Sequence, residues 1–344
     1  MKLGWLRHFS LPVALVLLMG VPAMPALAAA DNAYAVHPLV SNVAGRAAFT
    51  DPNLVNAWGL TASATSPWWV ADNGTDLSTV YRADGSIVPL VVQVPVQPTG
   101  AVFWGGARAR FVFDTEAGQV RGWPGSGNQT VVLADRSSVG AIYKGLALAT
   151  TATGDRFYAT DFHNGRIDVF DANFLLVTSD GAFVDADLPS GYAPFGVQTI
   201  GSRVFVTYAK QDADAADEIH GQGKGFVDAY DTSGVLLARV AQHGQLDAPW
   251  GLALAPANFG RFSGDLLVGN FGDGRINAYE EMANGRFEYR GELRTAGGKA
   301  LSIDGLWALQ FGHGSANNGP TTTLFFTAGP NDESDGLLGS ITAP

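Results

Sequence analysis

The sequence predicts an all-β protein, a six-bladed β-propeller closed by its own N-terminal strand. Three observations predict it: a unit that recurs six times, runs of β-branched and aromatic residues cut by Gly, Asp and Asn, and no long stretch of helical period after residue 30. Each unit opens on a short cluster that ends in glycine and an apolar residue. The clusters are Ala57-Trp58-Gly59-Leu60, Pro98-Thr99-Gly100-Ala101, Tyr143-Lys144-Gly145-Leu146, Pro194-Phe195-Gly196-Val197, Pro249-Trp250-Gly251-Leu252 and Ile303-Asp304-Gly305-Leu306. Their glycines stand 41 to 55 residues apart, the period of a four-stranded propeller blade.

Within each unit the elements follow in a fixed order. The cluster begins the inner strand, and its glycine is expected because six inner strands crowd around one channel. A second, strongly apolar strand with a polar end comes next, as in WWVADNG (68–74) and RFYATDFHNG (156–165). A third follows a Gly or Asn turn, and a fourth closes the unit, as at 87–94, 130–133 and 236–240. The sixth unit has no fourth strand of its own, so HPLVSN (37–42) is expected to complete that blade and remove its open edge.

Composition agrees and narrows function. With 47% hydrophobic and 15% charged residues the chain is not mainly disordered, and 43 Gly and 17 Pro supply many turns. There is no cysteine, so disulfides do not close the fold. Lys and Arg number 21 against 32 Asp and Glu, and a net charge of -11 argues against a nucleic-acid partner. Residues 1–28 read as an export signal, with Lys2 and Arg7 before an apolar run at 9–20 and A-x-A cleavage sites after Ala28 or Ala30. That run is shorter than the ~20 residues of a membrane span. A single propeller domain over 37–341 is expected, exported to the periplasm or secreted, monomeric and without a membrane span.

The stretches DPNLVNAWGL (51–60), SPWWVADNGTDLSTVYRADG (66–85), FVFDTEAGQVRGW (111–123) and LWALQFGHGSANNGPTTTLFFTAGPNDESDGLLGSI (306–341) resemble the signature segments of a bacterial exported propeller family related to NHL-repeat propellers. Many members of that family end in a PEP-CTERM sorting tail, whereas this sequence stops at ITAP. The resemblance implies a fold and no reaction, so no catalytic residue is carried over from it.

Chemistry is expected at the top face, where the loops before the inner strands meet those between strands two and three. Asn56, Trp58, Lys144 and Trp250 are the candidate ligand-binding residues there, the two tryptophans offering flat rings for a sugar or apolar ligand. Glu116, Asn73, Asn270 and Asp304 are the candidate metal ligands, hard oxygens suited to calcium. The likeness to six-bladed gluconolactonases, which hold a channel metal with Glu, Asn and Asp, points the same way. His163 is the candidate general base; with His220 and His243 it offers a zinc set like that of six-bladed amidoglycolate lyases. The cofactor is thus open between none, calcium and zinc. The acidic insertion QDADAADEIH (211–220) is read as a solvated loop, with a lid as the alternative, and GQGKG (221–225) lacks the Ser or Thr of a phosphate loop. Two functions follow: a module binding a small molecule, glycan or protein on the top face, or a metal-assisted hydrolase or lyase of the gluconolactonase or amidoglycolate-lyase kind.

Overall fold

In the computed structural model, which describes residues 32–179 and 181–344 together with Met1 and Gly4, the repeat becomes six antiparallel blades. Apart from Met1 and Gly4, the leader expected over 1–28 lies outside the described residues. The inner strands are Ala57–Thr61, Pro98–Phe103, Tyr143–Thr151, Tyr192–Ile200, Pro249–Leu254 and Leu306–Phe311, and blades one to five run outward from them in chain order, while blade six is completed from the N-terminal end. Among the described residues there is no α-helix, only three single-turn 3-10 segments. Blade three has three strands, and Val177 N–H donating to Val169 O at 2.7 Å marks the start of a fourth that does not continue. Burial falls from the axis outward. Every residue of Ala57–Thr61 and Trp68–Asp72 is buried, whereas the outer strand Val131–Asp135 is half-exposed. The core therefore lies between neighbouring blades.

The N-terminal strand closes the ring as expected. Ala35–Ser41 pairs antiparallel with Leu337–Thr342, from Ala35 opposite Thr342 to Ser41 opposite Leu337, with one bulge between Pro38 and Val40. Ser41 Oγ donates to Gly336 O at 2.9 Å, and Phe49–Thr50 adds a short parallel strand outside. One residue earlier, Tyr34 crosses to blade five. Its ring packs on Phe259 and Phe262 at 4.9 and 6.1 Å, and its hydroxyl donates to Phe259 O at 2.9 Å.

All six inner strands begin with the same irregularity. Ala57 pairs with Asp72, but the next paired residue is Leu60, opposite Val70. The same skip follows Pro98, Tyr143, Pro194 and Leu306, and a shorter one follows Pro249. In blades one to four the residues released from the ladder are the cluster glycine and its predecessor, and in blade five Trp250 alone is released while Gly251 pairs with Gly269. Glycine is required because the next inner strand is too close for a side chain: a Cβ on Gly59 would stand 2.6 Å from Thr99 O, and one on Gly196 or Gly251 would run into the carbonyl of Trp250 or Trp307. Hydroxyls of adjacent strands tie blade to blade at this level. Thr99 Oγ1 donates to Tyr143 O at 3.0 Å, Thr160 Oγ1 to Phe195 O at 2.7 Å, and Thr327 Oγ1 to Trp58 O across the closing joint.

Blade six corrects the sequence register. Its skipped pair is Trp307-Ala308, three residues beyond the Asp304-Gly305 pair that matched the repeat. Gly305, at φ 65°, makes the turn into the strand, and alanine fills the glycine position of this blade.

Two outcomes test this architecture. Gly196→Ala is expected to lower unfolding stability by about 1–3 kcal/mol, since the added methyl forces two inner strands apart; an unchanged urea midpoint would contradict the close approach. Truncation through residue 45 is expected to expose the edge of Leu337–Thr342 and replace one cooperative melt with aggregation, which light scattering during a thermal ramp would detect.

Candidate functional site

The skipped position beside each glycine points its side chain at the axis. In four blades it is aromatic, and these rings fill one end of the channel. Trp58 stacks on Trp307 at 3.6 Å and meets Trp250 and Phe195 edge-on at 6.2 and 6.5 Å. Phe271 stacks on Trp307 at 4.1 Å, and Phe162 packs on Phe195 at 5.4 Å. Beyond this plug, toward the opposite face, the channel widens into a cavity of about 230 Å³ lined by Thr61, Ser63, Leu148, Gln198, Thr199 and Gln310.

On the top side of the plug a polar chain links five blades. Glu333 of blade six accepts from Asn56 Nδ2 at 2.5 Å, and the same amide donates to Asn73 Oδ1 at 3.2 Å. Asn73 Nδ2 donates to Glu116 Oε2 at 3.1 Å. The other Glu116 oxygen receives the Lys144 ammonium, which also donates to Asp217 Oδ1 of the blade-four insertion at 2.9 Å. Plug and chain are joined, since Trp307 Nε1 donates to Asn56 Oδ1 at 3.1 Å and Trp250 Nε1 to Lys144 O at 2.8 Å. The backbone is strained where it delivers these groups. Asn56 has φ 46°, and Asn331, Asp332 and Glu333 form a run of three left-handed non-glycine residues at φ 61°, 49° and 62°.

Charge at this mouth is uneven. Lys144 is 1% exposed, with its ammonium 5.4 Å from the Trp58 ring centroid. Burial alone would depress its pKa, but the Glu116 and Asp217 carboxylates overcome this and hold it above the usual lysine range. Around that one cation stand Glu116, Asp217, Glu218 and Glu333. Burial pushes the Glu218 carboxyl up to about 8 against the pull of Lys144, and raises Glu333 against its Asn56 hydrogen bond.

Of the residues singled out in the sequence, Asn56, Trp58, Lys144 and Trp250 do come together with Asn73 and Glu116. The metal set as a whole does not assemble. Asn270 turns its amide to Gln245 O and Asp273 Oδ1 at 2.7 and 3.0 Å, and Asp304 is exposed, accepting from Asn331 N at 3.0 Å. Glu116 and Asn73 are adjacent, but the Lys144 ammonium occupies the side of Glu116 that a cation would need. Among the described residues, no three His, Cys, Asp or Glu side chains group to hold a metal ion. The histidines face backbone: Nδ1 of His163 lies 3.2 Å from Ala215 O, and Nδ1 of His243 lies 2.9 Å from Gly223 O. The insertion is not a free acidic loop. Gln211 Nε2 donates to Phe162 O at 2.6 Å, and Asp217 reaches Lys144, so the segment folds over the mouth. Sequence reasoning missed Trp307, Asp217 and Glu218. Trp307 had a signal, the Leu-Trp-Ala run at 306–308 that copies the other clusters with Ala for Gly. The two acids had none.

Comparison with known proteins gives relatives for the whole chain. The mimivirus (Acanthamoeba polyphaga mimivirus) protein named Uncharacterized protein R648 is 33% identical over 338 residues, covering 91% of this chain and 81% of that one. The restriction to bacteria implied by the family resemblance does not hold, since this relative is viral. Among solved structures, a streptogramin B lyase superposes with a TM-score of 0.52 at 11% identity, over 92% of this chain and 99% of that one. A glucose dehydrogenase does so with a TM-score of 0.54 at 12% identity, over 90% and 100%. These likenesses bear on the fold alone. No known protein-family profile matches the chain.

The buried acids set a pH dependence. Burial pushes Asp114 up to about 7 and Asp72 well above the usual range, alongside Glu218. Each is neutral in the folded protein at pH values where the unfolded chain ionises it, near 4. The contribution of Asp114 and Glu218 is therefore complete below about pH 4 and is lost as pH rises toward 7 to 8, each adding up to ~1.4 kcal/mol per pH unit over that window, and Asp72 acts in the same direction. The melting temperature is expected to fall from pH 5 to pH 8, with a shallower slope in Glu218→Gln. A flat or rising profile would contradict this assignment.

Proposed function

Because this chain belongs to the β-propeller family of the mimivirus protein R648, we propose that it is an exported NHL-like propeller that binds a ligand, glycan or protein partner through its top face. The leader-like segment at 1–28 supports the export part of this reading.

The observation that carries the binding part is the mouth itself, where the Glu116 and Asp217 carboxylates hold a single buried ammonium and two further acids stand close by, Glu333 and a Glu218 that burial keeps protonated up to about pH 8. Holding a buried lysine needs one or two acids; replacing the whole cluster with apolar side chains would stabilise a propeller at least as well. The surplus negative charge and the strained run at 331–333 favour a recognition surface. A group that carries positive charge or several hydroxyl donors complements it. Asp217 is 71% exposed and sits on the insertion, so it is the acid best placed to exchange Lys144 for such a group. For the alternative, a metal-assisted hydrolase or lyase, no three His, Cys, Asp or Glu side chains converge among the described residues.

Tryptophan emission reports on the site, since Trp58, Trp250 and Trp307 lie directly beneath it. Titration with spermidine, glucosamine and calcium, each alone, is expected to give a saturable change with at least one amine, weakened about tenfold in Asp217→Asn and in Glu116→Gln. No response to any amine would refute the cationic-group reading. A melting temperature that drops on chelation and recovers with calcium or zinc would replace it with the metal-dependent alternative.

A further inference from the structure

We propose a second binding site, on the outer flank of blade five and separate from the top mouth, that holds an acidic oligosaccharide. Two clefts of about 400 and 440 Å³ lie on either side of the outer strand Phe287–Glu292 and meet at Tyr289, which lines both. Both volumes fall in the range that holds small ligands. The first cleft runs along the outer strand of blade four and is aromatic and amide-rich, with Tyr279, Phe287, Gln242 and Gln245 in its walls. The second is basic on balance, with Arg261, Arg290 and Arg294 beside Asn32 and a single carboxylate, Glu292, in its wall.

Three arginines on one cleft run against the chain's net charge of -11. Arg261 has no carboxylate partner among the described residues; its guanidinium lies 5.8 Å from the Phe262 ring centroid. Arg290 and Arg294 pair with Glu280 at 2.7 Å and Glu292 at 3.0 Å, but both guanidinium side chains are nearly half exposed. Exposed pairs are weak, so these forks can turn to a ligand at little cost. A guanidinium matches a carboxylate or sulfate with two parallel hydrogen bonds. Tyr289, 45% exposed, presents a flat ring with a polar tip at the junction of the clefts. A pyranose ring stacks on such a surface, and the amides of Gln242, Gln245 and Asn32 suit its hydroxyls. An aromatic face that adjoins a cleft edged by three guanidinium groups is complementary to a sugar chain that bears an acid on its rings.

The test is calorimetric titration of the full chain with a galacturonate tetramer and, separately, a chondroitin sulfate tetramer. One-to-one binding to at least one is expected, weakening as salt rises, with a tenfold or greater loss in Arg261→Ala and in Tyr289→Ala. Both residues are exposed, and melting temperatures within about two degrees of the parent, a shift small for a chain of this size, verify that the variants fold. Glu116→Gln should bind these sugars as the parent does, which separates this site from the top mouth. The proposal is overturned if neither acidic sugar binds, or if binding survives both substitutions. It is equally overturned if maltotetraose binds as tightly, since charge then plays no part, or if poly-glutamate does, which would make the flank an acidic-peptide site.

Discussion

The close approach of neighbouring inner strands is the constraint from which the rest of this structure follows. Strand centres that crowd the axis leave room for no more than a methyl group at one position per blade, so glycine stands at five of them and alanine at the sixth. Releasing that residue from the ladder also releases its predecessor and turns the predecessor's side chain inward. The six inward positions are Trp58, Thr99, Lys144, Phe195, Trp250 and Trp307. Four rings at that level are enough to block the channel, and the one charged member brings a cation to the centre of the molecule. Plug and polar mouth are thus one device, repeated around the axis and varied residue by residue.

Lys144 shows how such a variation reshapes its surroundings. An ammonium with 1% exposure is not tolerated without partners, and it recruits acids from blade two and from the blade-four insertion. Glu116 in turn takes an amide donor from Asn73, Asn56 donates to Asn73 and to Glu333, and Asn56 is fixed from below by the indole of Trp307. The polar chain is therefore oriented by the apolar one, and the two cannot be altered independently.

Much of the fold was legible because the signals were local and repeated. Six clusters, their glycines and the missing fourth strand of the last unit led to a ring closed by 37–42 beside the last blade, and the observed closing strand is 35–41, paired with 337–342. The site was legible where it rode on the same repeat: Asn56, Trp58, Lys144 and Trp250 are fixed by their distance from a glycine. It failed in two ways. In blade six, Gly305 serves a turn and not the close approach, so the register slipped by three residues and Asp304 took a place that belongs to Trp307. In blade four, Asp217 reaches Lys144 through the path of an irregular insertion, 73 residues away in sequence, and no periodicity encodes such a path.

The closing blade carries a consequence in time. Its hydrogen bonds join residues 295 positions apart, as from Ser41 to Gly336, so beyond the short local ladder to Phe49–Thr50 the first strand has no sheet partner until the last has been made. A chain emerging from a ribosome presents 35–41 early and must carry its inner edge, unpaired, through the assembly of five other blades. Loop-closure entropy for so wide a span is recovered only in that final step, which places this protein among slow folders. Its early strands spend their youth as sticky edges, and the kinetic hazard of the molecule is concentrated in the interval before its two ends meet.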